Sequence, residues 1–89
     1  MDKAKAVFII TNTDSKIPDI LSNQLGRGVT VVDAKGYYSS KEKTIIYCVV
    51  NRFEILKVKH LVEKYAPDAF VTINEVSETI GGEKIKFKI

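Results

Sequence analysis

Cysteine is nearly absent from this sequence. Cys48 stands alone, so no internal disulfide can form and a cysteine-based metal cluster has no second ligand. It lies in the β-forming run Thr44–Val50 with no activating base beside it, which reads as a buried, unreactive thiol in a reducing compartment. Histidine is equally scarce: His60 falls in a helical stretch without Cys, Asp or another His at ligand spacing, and it anchors no metal site. Long apolar runs are missing as well. None approaches the roughly 20 residues a bilayer helix needs, and Met1-Asp2-Lys3-Ala4-Lys5 leads into a short apolar stretch with no cleavage pattern. By itself the chain is therefore expected neither to span a membrane nor to carry a secretion signal, and to be cytoplasmic. Finally, there is no block of like charge. The net charge is +3 and the lysines are dispersed, which leaves no charge-based argument for nucleic acid and a mild preference for anionic partners.

What is present suits one packed domain. The 89 residues are 45% apolar and 28% charged, the balance of an ordinary folded protein, and leave no room for a second core. Lys5–Ile10 gathers Val7, Phe8, Ile9 and Ile10, a continuous apolar run that suits a central strand. The polar cluster Thr11–Ser15 then precedes Ile17, Ile20, Leu21 and Leu25 at helical spacing, with Pro18 tolerated in the first turn and Gly26 ending the helix. Val29–Tyr38 is rich in β-branched and aromatic residues, with Gly36 marking a bulge or bend, and Ser39–Lys43 joins it as a hairpin to the strand Thr44–Val50. Asn51 and Glu54 stand at capping-box spacing before Ile55, Val58, Leu61, Val62 and Tyr65, which repeat on one helical face until Pro67. Phe70–Val76 reads as a fourth strand. Beyond Gly81-Gly82, lysines 84, 86 and 88 alternate with Ile85, Phe87 and Ile89, the period of an edge strand. The predicted fold is α+β: a ferredoxin-like βαββαβ sandwich with two helices on one face of an antiparallel sheet, its core at 5–77, and a C-terminal strand at 83–89.

Two segments carry recognition chemistry. In Gly26-Arg27-Gly28-Val29-Thr30 the glycines flank an arginine between a helix end and a strand start. Backbone N–H groups there can form an anion nest with the Arg27 guanidinium as donor, or Gly26 simply caps the helix and Arg27 is solvated. The loop Gly36–Lys43 carries Tyr37, Tyr38, Lys41 and Lys43, a chemistry suited to folding over a ligand or docking onto a partner, against the plainer reading of a solvated hairpin. RNA-recognition modules of this topology need aromatics on both central strands within a glycine-containing motif. The stretch Lys43–Val50 lacks that motif's glycines and second aromatic, which makes Phe8 a core residue in this reading. Glu75 and Glu78 read as surface charges. No acid, base and nucleophile assemble, so the chain is not expected to be an enzyme.

The residues also carry a family likeness. Gly26–Thr30, Tyr37, Tyr47-Cys48-Val49-Val50 followed by Asn51-Arg52-Phe53-Glu54, then Pro67–Ile73 and Glu75-Val76, closely resemble the soluble C-terminal domain of YitT-type bacterial membrane proteins. The similarity runs from about Val7 to Gly82. It implies a fold similar to that of PII signalling proteins, which are trimeric and bind small effectors or nucleotides between subunits. Carried over, it implies a homo-oligomer, trimer or dimer, whose subunit clefts are lined by Gly26, Arg27, Gly28, Thr30, Tyr37, Tyr38, Lys41 and Lys43. The ligand would be a small anionic metabolite or nucleotide, with no cofactor and no metal. The domain would then be a ligand-sensing regulatory part of a membrane protein, partnered with its membrane region on the cytosolic face; the alternative is an oligomerisation module without ligand. The multi-helix membrane region that normally precedes the domain is not in this sequence, so the chain reads as a piece of a longer protein or a free-standing relative.

Overall fold

In the computed structural model, which describes residues 4–82, β1 (Ala4–Asn12) is followed by α1 (Ile17–Leu25), β2 (Thr30–Lys35), β3 (Glu42–Asn51), a 3-10 turn (Arg52–Glu54), α2 (Ile55–Tyr65) and β4 (Phe70–Glu75). The strands form one antiparallel sheet in the order β2-β3-β1-β4. This is the predicted ferredoxin-like order. The C-terminal strand expected at 83–89 lies outside the described residues.

Strand pairing and side-chain alternation decide the core. Val7 stands opposite Cys48 on one side and Ile73 on the other, and Ile9 opposite Ile46 and Val71. Because directly paired residues share a face, these two rows line one side of the sheet. Ile17 and Leu21 from α1 and Val58, Leu61 and Val62 from α2 close over them in a single apolar cluster. Both helices thus lie on the same face.

The helix ends follow local chemistry. Pro18 is within the first turn of α1, the Ser15 hydroxyl accepts the Ile17 N–H at 3.2 Å, and Gly26 ends the helix at φ 64°, where a side chain would be strained. Asn51 Oδ1 accepts the N–H groups of Phe53 and Glu54 at 2.9 and 3.0 Å, while Glu54 Oε1 accepts the Asn51 N–H at 2.9 Å. The capping box read from the sequence therefore forms, though it opens a 3-10 turn before α2 proper. Pro67 bars helical geometry at Ala66, and α2 ends at Tyr65.

Three expectations need correcting. The second strand stops at Lys35 instead of Tyr38, because Gly36 N–H bonds the Lys41 carbonyl and Ser40 N–H bonds the Gly36 carbonyl, both at 2.8 Å, folding 36–41 into the hairpin turn. A Cβ at Gly36 would meet Ser39 Oγ at 2.7 Å, so that hydroxyl would have to turn away from its bond to Lys41 N–H. Tyr65 is not buried with its helical neighbours but exposed at the end of α2. Phe8 is not a core residue. It points away from both helices, and adjacent residues on a strand explain why, since Val7 and Ile9 already occupy the covered side.

The two faces of β1 respond differently to truncation. Ile9→Ala, which empties a site sealed by both helices, is expected to lower the unfolding free energy by about 3 kcal/mol in urea titrations. Ile10→Ala, on the other face of the strand, is expected to lower it by about 1 kcal/mol; equal losses would contradict the assignment of faces.

Candidate functional site

The residues singled out from the sequence fall into two groups at opposite ends of the β2–β3 ladder. Thr30 pairs with Tyr47 at one end and Lys35 with Glu42 at the other, a separation of about 17 Å along the strand. Gly26, Arg27, Gly28 and Thr30 are at the first end; Tyr37, Tyr38, Lys41 and Lys43 are at or beyond the second. Within one chain they do not line a common cleft.

At the first end Arg27 is built into the fold. Its Nε lies 3.1 and 3.2 Å from the two carboxylate oxygens of Glu54, and its terminal nitrogen Nη2 lies 3.0 Å from Oε1. Both side chains are largely shielded from solvent. The same carboxylate holds the Asn51 N–H, so one oxygen joins the C-terminal end of α1 to the start of α2. Lys57 adds a second tie by donating to the Gln24 carbonyl at 2.9 Å, a cation placed at the negative end of the α1 dipole. An external anion at Arg27 would have to compete with Glu54. Gly26 serves as the left-handed helix cap, and Gly28 has no positive φ.

At the second end Tyr37 and Tyr38 are fully exposed at the tip of the hairpin. Ser40 adopts a φ of 60°, and Lys41 N–H bonds Ser39 Oγ at 3.2 Å, so the tip has a defined shape. Lys43 reaches across to β1, its Nζ 3.1 Å from Asn12 Oδ1. Two phenols and Lys41 thus project into solvent on a short, internally bonded turn.

The interior holds one thiol. Cys48 is buried and its thiol is pushed from the ordinary 9.0 to about 11, first by desolvation and then by the nearby Glu54 charge. It stays protonated and inert at neutral pH. Among the described residues no group of His, Cys, Asp and Glu could hold a metal ion. A cavity of about 280 Å³ opens between α2 and β4, walled by Val58, Val62, Pro67, Ala69 and Val71 with Lys59 and Glu63 among its lining. Its walls suit an aliphatic group more than an anion.

The largest feature was not among the sequence candidates. On the side of the sheet away from the helices, Val32, Ile45, Ile10 and Phe70 are cross-strand partners in one row spanning all four strands, and Tyr47, Phe8 and Thr72 stand in the next. Phe8 and Tyr47 pack with ring centroids 4.8 Å apart. Phe8 is 42% exposed, Ile10 38%, Val32 49% and Phe70 64%. Strands about 4.8 Å apart and a rise of about 3.3 Å per residue make this patch roughly 300 Å² in projection. That is within the range of the largest apolar patch on an ordinary monomer, which is often functional. A signal was available: Val7-Phe8-Ile9-Ile10 is apolar at every position, which asks for cover on both sides of the strand, whereas two helices cover one.

The comparisons with known proteins agree with this fold. Residues 27–81 match the family described as "Uncharacterized protein conserved in bacteria (DUF2179)". The chain is similar to the "Uncharacterized protein in cccA 5'region" of Bacillus sp. (strain PS3), 36% identical over 78 residues that make up 88% of this chain and 52% of the relative. It is also similar to two membrane proteins of Bacillus subtilis (strain 168). The UPF0750 membrane protein YxkD is 30% identical over 91% of this chain and 29% of its own length. The UPF0750 membrane protein YitT is 27% identical over 83% and 26%. The chain therefore spans about half the length of one of these relatives and under a third of the membrane proteins. Among solved structures, a DUF2179 protein from Eubacterium ventriosum superimposes with a TM-score of 0.58 at 31% identity, over 79% of this chain and 97% of that one. A functionally unknown protein from Pediococcus pentosaceus has a TM-score of 0.75 at 11% identity, over 91% and 98%, a likeness of fold alone.

Removing either side of the Arg27–Glu54 tie separates its two roles. Arg27→Ala is expected to destabilise the domain by about 1 kcal/mol and Glu54→Ala by about 2 kcal/mol, since the latter also removes half of the capping box. Urea titration measures both, and equal losses would mean that the capping box contributes nothing.

Proposed function

Because this chain belongs to the DUF2179 family, we propose that it is a non-catalytic accessory domain of a membrane protein, held on the cytosolic side of a bilayer, that brings copies of its parent together through the uncovered face of its sheet. The observation that carries this reading is the apolar row Val32, Ile45, Ile10 and Phe70 with the Phe8–Tyr47 pair beside it. A sheet that is apolar on both sides is stable when both are covered. A second copy is the simplest cover: about a two-fold axis the patch meets itself and closes a dimer, and in a trimer it would meet a different surface of the neighbouring copy.

The relatives' names support the setting. They are membrane proteins, and no helix among the described residues is long and apolar enough to cross a membrane. The membrane-embedded work belongs, in this reading, to the part of such proteins that the present chain does not span.

A second reading adds a ligand. The exposed Tyr37 and Tyr38 beside Lys41, on a turn held by its own hydrogen bonds, favour capture of a small anionic metabolite or nucleotide. Since the hairpin and the arginine turn stand at opposite ends of one chain, a cleft containing both would be made by two copies, and assembly would then be the condition for sensing.

Assembly is tested by sedimentation velocity on the purified chain at micromolar concentration. The unsubstituted chain is expected to sediment as a dimer or trimer, and Ile10→Asp as a monomer with unchanged circular dichroism, because a carboxylate in the centre of the buried patch would be left unpaired. A monomeric unsubstituted chain, or an Ile10→Asp oligomer, would count against the reading. Thermal shift with pooled nucleotides and phosphorylated metabolites tests the ligand. A melting temperature raised by mass action, and lost in Tyr37→Ala with Tyr38→Ala, is expected; a shift that survives both substitutions places the ligand elsewhere.

A further inference from the structure

β4 stands at one edge of the sheet, and only its inner side is bonded. Its register with β1, continued by one position, sets Val76 opposite Ala4, and the Val76 N–H bonds the Ala4 carbonyl at 3.0 Å. Bonded pairs alternate along an antiparallel ladder. Phe70, Thr72 and Asn74 therefore turn their backbone groups to β1, while Val71 and Ile73 turn theirs outward, where no strand follows among the described residues. The side chains of these same two residues lie toward the helices and are only half-buried.

Beside them opens the cavity of about 280 Å³ between β4 and α2, walled by Val58, Val62, Pro67, Ala69 and Val71. Its charged residues, Lys59 and Glu63, are opposite in sign and favour neither an anion nor a cation. An outward-turned backbone next to an apolar groove suits an extended segment with large apolar side chains at every second position, the backbone bonding the edge and alternate side chains filling the groove.

The sequence supplies such a segment close by. From Gly82 it continues as Glu83-Lys84-Ile85-Lys86-Phe87-Lys88-Ile89, apolar at 85, 87 and 89. At about 3.3 Å per residue this stretch matches the length of β4, which has 6 residues. Gly81 and Gly82 have φ of 83° and 74°, the left-handed geometry in which a chain readily reverses. The opposite edge of the sheet is a poorer destination. β4 ends where β2 begins, so a strand arriving there from β4 would run parallel to β2, a connection that takes about a dozen residues or more. Only residues 76–82 are available for it. Along β4 the same segment runs antiparallel, joined as a hairpin.

We infer that the outer edge of β4 and the groove beside it are the seat of residues 83–89, with Ile85 and Phe87 entering the groove under α2 and lysines 84, 86 and 88 on the other side, their amines in water. The inference goes beyond the assembly reading above and does not depend on it. Lysines on the new outermost strand would discourage pairing with further chains, which leaves the sheet face, and not this edge, for assembly.

Nuclear magnetic resonance on the whole chain tests the seat. Nuclear Overhauser contacts are expected between the Phe87 ring and the methyl groups of Val58, Val62 or Val71. In the double variant Ile85→Ser with Phe87→Ser, the amides of Val71 and Ile73 are expected to exchange at least about tenfold faster than in the unsubstituted chain. The Ile46 amide, in β3 between two strands, is expected to keep its protection and so reports that the variant folds. The inference is overturned by Phe87 contacts to Phe8 or Phe70 in place of the groove, by the absence of any groove contact, or by exchange at Val71 and Ile73 that ignores the substitutions. Groove contacts found only between chains, in a mixture of labelled and unlabelled protein, would overturn it as well, because the occupant would then be a second copy. The contacts in the unsubstituted chain decide the question even where the double variant folds poorly.

Discussion

The pairing of β1 with two strands at once governs the rest of the molecule. Each of its residues from Lys5 to Ile10 has a partner on β3 and another on β4, so a slip of one position would exchange the two faces of the sheet entirely. Held in register, β1 sends Val7 and Ile9 to the helices and Phe8 and Ile10 to the opposite side. The helix layer can then satisfy only half of an almost wholly apolar strand. From that division come both the sealed core, in which Val7, Ile9, Ile46 and Val50 are completely buried, and the uncovered patch.

The helix layer is oriented by a polar junction. Arg27 and the Asn51 N–H meet at the Glu54 carboxylate, and Lys57 reaches the Gln24 carbonyl near the end of α1. Charge-assisted hydrogen bonds shielded from water are directional in a way that apolar packing is not. They set where the end of α1 stands against the beginning of α2. The glycine-arginine turn singled out in the sequence is thus also a joint between the two helices.

The family likeness fits this division of labour. The chain corresponds to a minor part of the UPF0750 membrane proteins, while the fold recurs at 11% identity in the Pediococcus pentosaceus protein. What persists at that distance is the fold, and a fold does not specify a chemistry.

The sequence by itself determined the order of elements and most of their ends. Those depend on neighbours within a few positions: Gly26 capping a helix, Asn51 and Glu54 closing a capping box, Pro67 stopping α2, and the alternation and helical spacing of apolar residues. It also carried the likeness of Gly26–Thr30 and Pro67–Ile73 to the YitT-type domain. Only the tertiary structure decided which apolar residues are core, because Phe8 and Ile9 are equally hydrophobic and differ only in which side of the sheet the helices chose. It likewise decided that Arg27 meets Glu54, 27 positions away, and that the two candidate segments stand at opposite ends of a ladder. Such pairings are made by strand register and helix docking, and no local pattern encodes them.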